Sequence, residues 1–258
     1  MKTVYGPVPS WRLGRSLGID LISSEKVCSF DCIYCQLGEK YEKTVKRRKF
    51  VETLRIKEDL LGILDLLDLA KDVEVITFSG MGEPTLASNL KEVISIVRGI
   101  TDLPLAILTN SSLLHRIEVQ NTLKTIERVI TKLDAPDEKL FQRINRPHPS
   151  ISFSQTLKGI KKFRSGYNGE LELQIMFTDE NKEHARELAG LAAEIKPERV
   201  DINTPLRPSP IKPLNKSEIK EIKEIFEEKS LNTKTVYESN KIKVETVDHE
   251  ETARRRPG

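Results

Sequence analysis

Apolar and polar positions alternate between two textures along the chain. Short runs rich in β-branched residues predict strands at 17–22 (LGIDLI), 73–80 (VEVITFSG), 103–110 (LPLAILTN), 128–135 (RVITKLDA), 170–178 (ELELQIMFT) and 199–205 (RVDINTP). Helical spacing of apolar positions predicts helices over 56–71, 86–100, 116–126, 137–146, 152–165, 181–197 and 216–229. Strands apolar along their whole length are those buried on both faces, and here helices follow them. That pattern implies a parallel sheet with right-handed crossovers. About six such units fit, whereas a full barrel of eight needs about 250 residues for the barrel alone. The expectation is an α/β fold, a partial open (β/α)6 barrel of parallel strands over residues 1–230. Residues 1–16 read as a loop-rich N-terminal arm and 231–258 as a charged C-terminal extension. In that extension VYES and KIKVET are candidates for short strands, as an added hairpin or a trailing end. There is no internal repeat and no low-complexity tract.

Composition narrows the class. Hydrophobic residues make up 38% and charged residues 31% of the 258, which describes a soluble globular chain. A formal net charge of only +3 excludes a strong polycation but leaves room for local basic patches. The first residues, MKTVYGPVPSWRLGRS, hold no apolar leader, and no run of about 18 apolar residues occurs. The expected location is the cytoplasm, with no membrane partner.

All three cysteines lie in one stretch, VCSFDCIYCQLG, as Cys28-x3-Cys32-x2-Cys35. Clustered thiols in a reducing compartment indicate metal or redox chemistry rather than a disulfide framework. Three uses are open. Zinc would need a fourth ligand, and His115, His148, His184 and His249 all lie far along the chain. A redox dithiol would need only Cys32 and Cys35. A [4Fe–4S] cluster would take three thiolates and leave one iron without a protein ligand.

The Cys-x3-Cys-x2-Cys spacing, with aromatic Tyr34 just before the last cysteine, resembles the signature of the radical S-adenosylmethionine (SAM) superfamily. GPVPSWRLGRSLGIDL, FSGMGEPTL, RINRPHPS and NTPLRP extend the likeness over most of residues 5–210, toward the iron–sulfur oxidoreductases that neighbour the tRNA wyosine synthetase. Trp11 departs from it, standing where that group carries a basic residue. The resemblance implies a partial (β/α)6 barrel, a [4Fe–4S] cluster on Cys28, Cys32 and Cys35, and SAM as cofactor. It implies that an electron from the reduced cluster splits SAM into methionine and a 5′-deoxyadenosyl radical, which takes hydrogen from a substrate. Gly80, Gly82 and Glu83 would stand as the family's Gly-Gly-Glu motif and hold the methionine amino group. Adenine would lie near the later strands. A ferredoxin or flavodoxin would supply electrons. The substrate is undetermined: a tRNA base first, then a protein made into a glycyl radical, or a small molecule; the alternative from another class is a non-catalytic zinc or iron–sulfur binding protein. All three cysteines are spent on one cluster, which argues against types that need an auxiliary one.

Other strand ends carry polar residues with two readings each. Gly80–Pro84 also suits a turn with a capping acid, since proline fits the first turn of a helix. Thr109 and Asn110 could bond a ligand or form an Asx turn. Lys132 and Asp134 could meet ribose or carboxylate, with a helix N-cap as the rival reading for this loop. Gln174, Met176 and Asn203 lie on the last strands, where a buried asparagine must find a partner. Tyr34 could pack on adenine or shield the cluster, and Phe30 packs. His148 between prolines could deliver a proton or simply hold a turn. Basic runs occur at 43–49, at Arg143 and Arg146, at Arg207 and at 254–256. They are solvated faces unless several converge on the barrel mouth, where they would attract phosphates. Aromatics, at 5%, do not interleave them, which weakens an RNA reading.

Overall fold

The computed structural model describes residues 2–22, 25–38, 41–238 and 242–257. The chain opens with an antiparallel pair, β1 (Val4–Ser10) and β2 (Gly14–Ile19). A short parallel pair, β3 (Lys26–Cys28) and β4 (Tyr41–Lys43), flanks the cysteine loop. Helices and strands then alternate: α1 (Thr53–Leu64), α2 (Leu69–Asp72), β5 (Val75–Phe78), α3 (Leu90–Ile100), β6 (Leu105–Leu108), α4 (Ile117–Leu123) and β7 (Arg128–Lys132). They continue with α5 (Glu138–Ile144), α6 (Phe153–Ser165), β8 (Glu170–Met176), α7 (Ala185–Ile195), β9 (Arg199–Asn203), α8 (Lys216–Glu227), β10 (Thr233–Thr235) and α9 (His249–Arg255). The large sheet runs β1-β2-β5-β6-β7-β8-β9-β10, parallel from β2 onward, with β1 and β10 as its edges. It is the curled, partial barrel expected.

Period-two alternation sorts the strand residues. Ile76, Phe78, Ile107, Val129, Leu173, Ile175, Val200 and Ile202 pack against the helices in the main core. Their neighbours point the other way. Val75, Ala106 and Ile130 form a small apolar cluster with Leu13. Further along the same face stand Thr77, Gln174, Asp201 and Asn203. Helices present matching stripes: α3 buries Leu90, Val93, Ile94 and Val97. Asn215 and Glu218 close a capping box at the start of α8.

Three expectations change. Residues 2–16 are not a loop-rich arm, because β1 and β2 make a hairpin that adds an edge to the sheet; position 1 lies outside the described residues. The helix over 56–71 breaks at 65–68 into α1 and α2. VYES contains a 3-10 turn, Val236–Glu238, and residues 242–246 of KIKVET form no strand; position 241 lies outside the described residues.

The C-terminal segment folds back on the first strand. Val247 N–H donates to Gly6 O (3.0 Å) and Gly6 N–H to Thr252 Oγ1 (3.1 Å). Arg255 is buried and donates Nε–H to Asp20 Oδ2 at 2.7 Å and an Nη2 proton to Lys2 O at 2.7 Å. Their side chains are 0% and 1% exposed. Removing one partner of such a pair strands the other charge in the interior. Arg255→Ala is therefore expected to cost about 3–5 kcal/mol in urea unfolding. A loss under about 1 kcal/mol would contradict a buried, paired Arg255.

Candidate active site

The cysteine loop is positioned by backbone. Val27 N–H donates to Met81 O (3.0 Å), and Glu83 N–H donates to Val27 O (3.1 Å). This bridge ties the strand that ends in Cys28 to the Gly80–Pro84 loop after β5. Gly82 has φ +143°, and a Cβ there would lie 1.8 Å from Val27 O. Only glycine permits so close an approach. From the other side the loop is held by the end of α5. Asp31 N–H donates to Asn145 O (3.0 Å), Ile33 N–H to Ile144 O (2.9 Å) and His148 N–H to Ser29 O (2.8 Å). His148 thus belongs to a turn that grips the loop. Phe30 packs edge-on to Phe141.

The three thiols are half-buried, and protein donors reach each of them, Lys26 serving Cys35. Phe30 N–H and Asn110 Nδ2 donate to Cys28 Sγ, each at 3.4 Å. Asn145 Nδ2 donates to Cys32 Sγ at 3.5 Å. Burial, reinforced by the Glu83 charge, pushes the Cys28 thiol up. Burial also pushes Cys32 up to about 11. Buried thiols become thiolates when a cation compensates them, and N–H donors on sulfur are the usual outer partners of iron–sulfur thiolates. Among the described residues, no three His, Cys, Asp or Glu side chains gather where they could hold a metal ion. Structural zinc needs four donors at one centre, whereas cubane thiolates each face a different iron. The donor set fits a [4Fe–4S] cluster.

The other site residues fall into place unevenly. Glu83 is 2% exposed, and its oxygens accept from Thr85 N (3.0 Å), Thr85 Oγ1 (2.6 Å), Thr109 Oγ1 (2.8 Å) and Asn110 N (2.6 Å). Glu83 caps the Pro84 turn, as one of its two readings had it, and also ties β5 to the end of β6. Asn110 forms an Asx turn to Ser112 N (3.0 Å) and reaches Ser29 Oγ (2.8 Å) as well as Cys28.

Asp134 is 1% exposed and committed to the protein. It accepts from the Tyr34 hydroxyl, from Asn145 Nδ2 (2.7 Å) and from Met176 N (2.8 Å). Tyr34, with Lys132 Nζ 4.8 Å from its ring centre, is anchored rather than free. Burial, then the Asp134 charge, raises its hydroxyl well above the usual tyrosine range. Asn203 Oδ1 accepts from Thr204 N (2.9 Å), and the side chain stays half-buried.

Two adjoining cavities fill the barrel mouth. One, of about 230 Å³, is lined by Ser79, Gly80, Gly82, Tyr5, Arg12 and Arg207 among others. The second, of about 150 Å³, is lined by Tyr34, Met176, Asn203, Trp11, Arg12 and Arg207 among others. Gly80 and Gly82 thus line the first cavity and Tyr34 and Asn203 the second, while Glu83, Asn110 and Asp134 line neither. The sequence reading missed Arg12, Asn145 and Asp20. Arg12 carried no signal in the sequence, because residues 1–16 read as a loop-rich arm and the hairpin that turns at Trp11–Leu13 is a feature of the structure. The run at 43–49 stays outside the mouth. Arg47 donates to Thr85 O (2.9 Å) and Ala87 O (3.1 Å), Arg48 to Glu42, and Lys49 to Glu52.

Residues 22–192 match the family described as the radical SAM superfamily. The UPF0026 protein MJ1312 of Methanocaldococcus jannaschii is 38% identical over 253 residues, covering 95% of this chain and 75% of that protein. The UPF0026 protein slr1464 of Synechocystis is 41% identical over 216 residues, covering 81% and 77%. Among solved structures, Streptococcus suis SuiB bound to S-adenosylmethionine superposes with a TM-score of 0.60 at 17% identity, over 85% of this chain and 51% of that one. That likeness is one of fold. The chain belongs to the radical SAM superfamily, and within it to the UPF0026 proteins. This is a superfamily of enzymes, and its cofactors are a [4Fe–4S] cluster and SAM. No helix among the described residues is long and apolar enough to cross a membrane.

Below the cavity, Glu172 and Asp201 share Arg199, each at 2.8 Å. Burial, with the Asp201 charge adding to it, raises the Glu172 carboxyl to about 7. Folding therefore favours its protonated form. The stability this group contributes is full below its ordinary value of 4.5 and is lost as pH climbs through about 7. Urea titrations are expected to show wild-type stability falling from about pH 5 to about pH 8, with a flatter profile in Glu172→Gln. Equal slopes in the two proteins would contradict the assignment.

Proposed function

We propose that the chain is an oxidoreductase- or lyase-type radical SAM enzyme. It cleaves SAM reductively to methionine and a 5′-deoxyadenosyl radical, and that radical abstracts hydrogen from a C–H bond of the substrate. Held by Cys28, Cys32 and Cys35, the cluster supplies one electron and one open coordination position. The observation that carries this reading is the Val27–Gly82 bridge, which sets the three-thiol loop against a glycine backbone lining the cavity.

The chain's residues divide the remaining work. Gly80 and Gly82 let a ligand approach the backbone closely. Asn110 and Asn145 direct N–H donors at Cys28 and Cys32, which lowers electron density on the thiolates and tunes the potential of what they bind. Tyr34, Asp134 and Asn145 lock the loop in place. Met176, Asn203 and Tyr34 wall the second cavity, where the adenosyl group would sit away from bulk water. The reductant we propose is a ferredoxin- or flavodoxin-type protein. Substrates open to this chemistry are a tRNA base, a small metabolite and a glycyl residue of a protein partner. The run at 43–49 lends little support to tRNA, because Arg47, Arg48 and Lys49 are already bonded within the protein.

Anaerobic reconstitution with SAM and dithionite is expected to yield 5′-deoxyadenosine and methionine in equal amounts. Cys28→Ala, Cys32→Ala and Cys35→Ala should each lower the yield by about 100-fold or more. Iron-loaded wild type that forms no 5′-deoxyadenosine would overturn the proposal.

A further inference from the structure

Resting on the reading above, we propose that the barrel interior carries a subsite for a doubly charged anion, a phosphate group of the substrate, built by Arg12, Arg207 and Arg256. The three arginines come from separate parts of the chain. Arg12 lies in the turn between β1 and β2, Arg207 in the segment after β9, and Arg256 just after α9. All three line both cavities at the barrel mouth.

Their hydrogen-bonding capacity is largely unspent. The Nε and Nη1 of Arg12 are buried without a hydrogen-bond partner, and Asp201 Oδ2 stands 3.9 Å from Nε, beyond bonding distance. Arg207 donates weakly to Gln36 Oε1 at 3.3 Å, and Arg256 donates to Pro9 O at 3.0 Å. Among the described residues, neither Arg207 nor Arg256 has a carboxylate partner in an ion pair. Burial, then repulsion from Arg12, lowers the Arg207 guanidinium. Burial, then repulsion from Arg207, lowers Arg256 to about 10. Like charges held together in a half-buried space are costly unless an anion joins them.

Charge balance sets the valence. Arg12 faces this space from the β1–β2 turn, and behind it, outside the lining of either cavity, β8 and β9 carry Glu172, Arg199 and Asp201. Arg12 and Arg199 stand against Asp201 and a Glu172 that is only partly ionised near pH 7, while Arg255 is paired with Asp20 and Glu251. Arg207 and Arg256 remain, an excess of at least two positive charges. SAM does not remove it, since its sulfonium and ammonium outnumber its single carboxylate. A phosphate monoester carries about two negative charges at neutral pH and accepts guanidinium forks in pairs. Arg255 is a positioning residue here. Its buried pair with Asp20 holds the end of α9, which brings Arg256 over the cavity. A Cβ on Gly80 would lie 2.2 Å from Asp20 Cγ, so the same aspartate also abuts the SAM-side loop.

The test uses the anaerobically reconstituted full chain and calorimetric titration with inorganic phosphate, and separately with SAM. Wild type is expected to bind phosphate. Arg207→Gln and Arg256→Gln should each weaken it about tenfold or more, with SAM affinity far less affected and Arg207→Lys partly restoring phosphate binding. Circular dichroism checks that the variants are folded. Displacement of phosphate by a nucleoside monophosphate supports the site with a free metabolite as its source. Displacement by short single-stranded RNA alone supports it with a nucleic-acid phosphate as its source. No phosphate binding by wild type, or equal binding by folded variants, overturns the proposal. So does SAM affinity falling as far as phosphate affinity, which would give these arginines to the cofactor's own carboxylate. Phosphate binding without 5′-deoxyadenosine formation would instead fault the catalytic reading and leave the anion site standing.

Discussion

The approach of Gly82 to Val27, close enough that no other side chain fits, decides where the rest of the site can be. It registers the strand ending in Cys28 against the loop ending β5. From that register follow the reach of Asn110 to Cys28 and the four donors on Glu83. A single backbone bridge thus joins the thiols to the barrel. The second anchor, from the end of α5 to Asp31 and Ile33, stops the loop from swinging away. Between these grips the thiols stay half-buried beside a cavity, the setting a cluster with one vacant iron requires.

The barrel was legible because its strands are buried on both faces and so read as continuous apolar runs separated by helical periods. The inward set is polar at the same places where those runs ended in Asn110, Asp134 and Asn203. The cysteine triad stood out by its spacing, which left three uses open, and the resemblance to the radical SAM signature gave it the cluster. What escaped was long-range. The β1–β2 hairpin contains Gly6, Pro7, Pro9 and Gly14, residues that locally signal loop, and only pairing with β5 makes it an edge. The role of Arg255 depends on Asp20, more than two hundred residues away. Glu83 and Asp134 could be placed near the site, but whether their oxygens face a ligand or protein donors depends on Thr85, Thr109, Tyr34 and Asn145.

Charge is unevenly distributed in this molecule. Arg47, Arg48 and Lys49 of the 43–49 run meet carboxylates or carbonyls, and Arg12 and Arg199 stand against Glu172 and Asp201 below the cavity. Arg207 and Arg256 face the cavity with no carboxylate partner among the described residues. A small net charge of +3 therefore hides a concentrated positive interior beside the Gly80–Gly82 loop. In a low-dielectric space such charges orient a bound anion more strongly than they would at a surface.

The central claim is that three protein thiolates leave one iron for SAM. Electron–nuclear double resonance on the reduced, anaerobically reconstituted chain tests it, with SAM isotopically labelled at its methionyl nitrogen. Coupling between that nitrogen and the cluster is the predicted result. A cluster whose spectrum ignores added SAM, or one carrying a fourth protein ligand, would contradict the account.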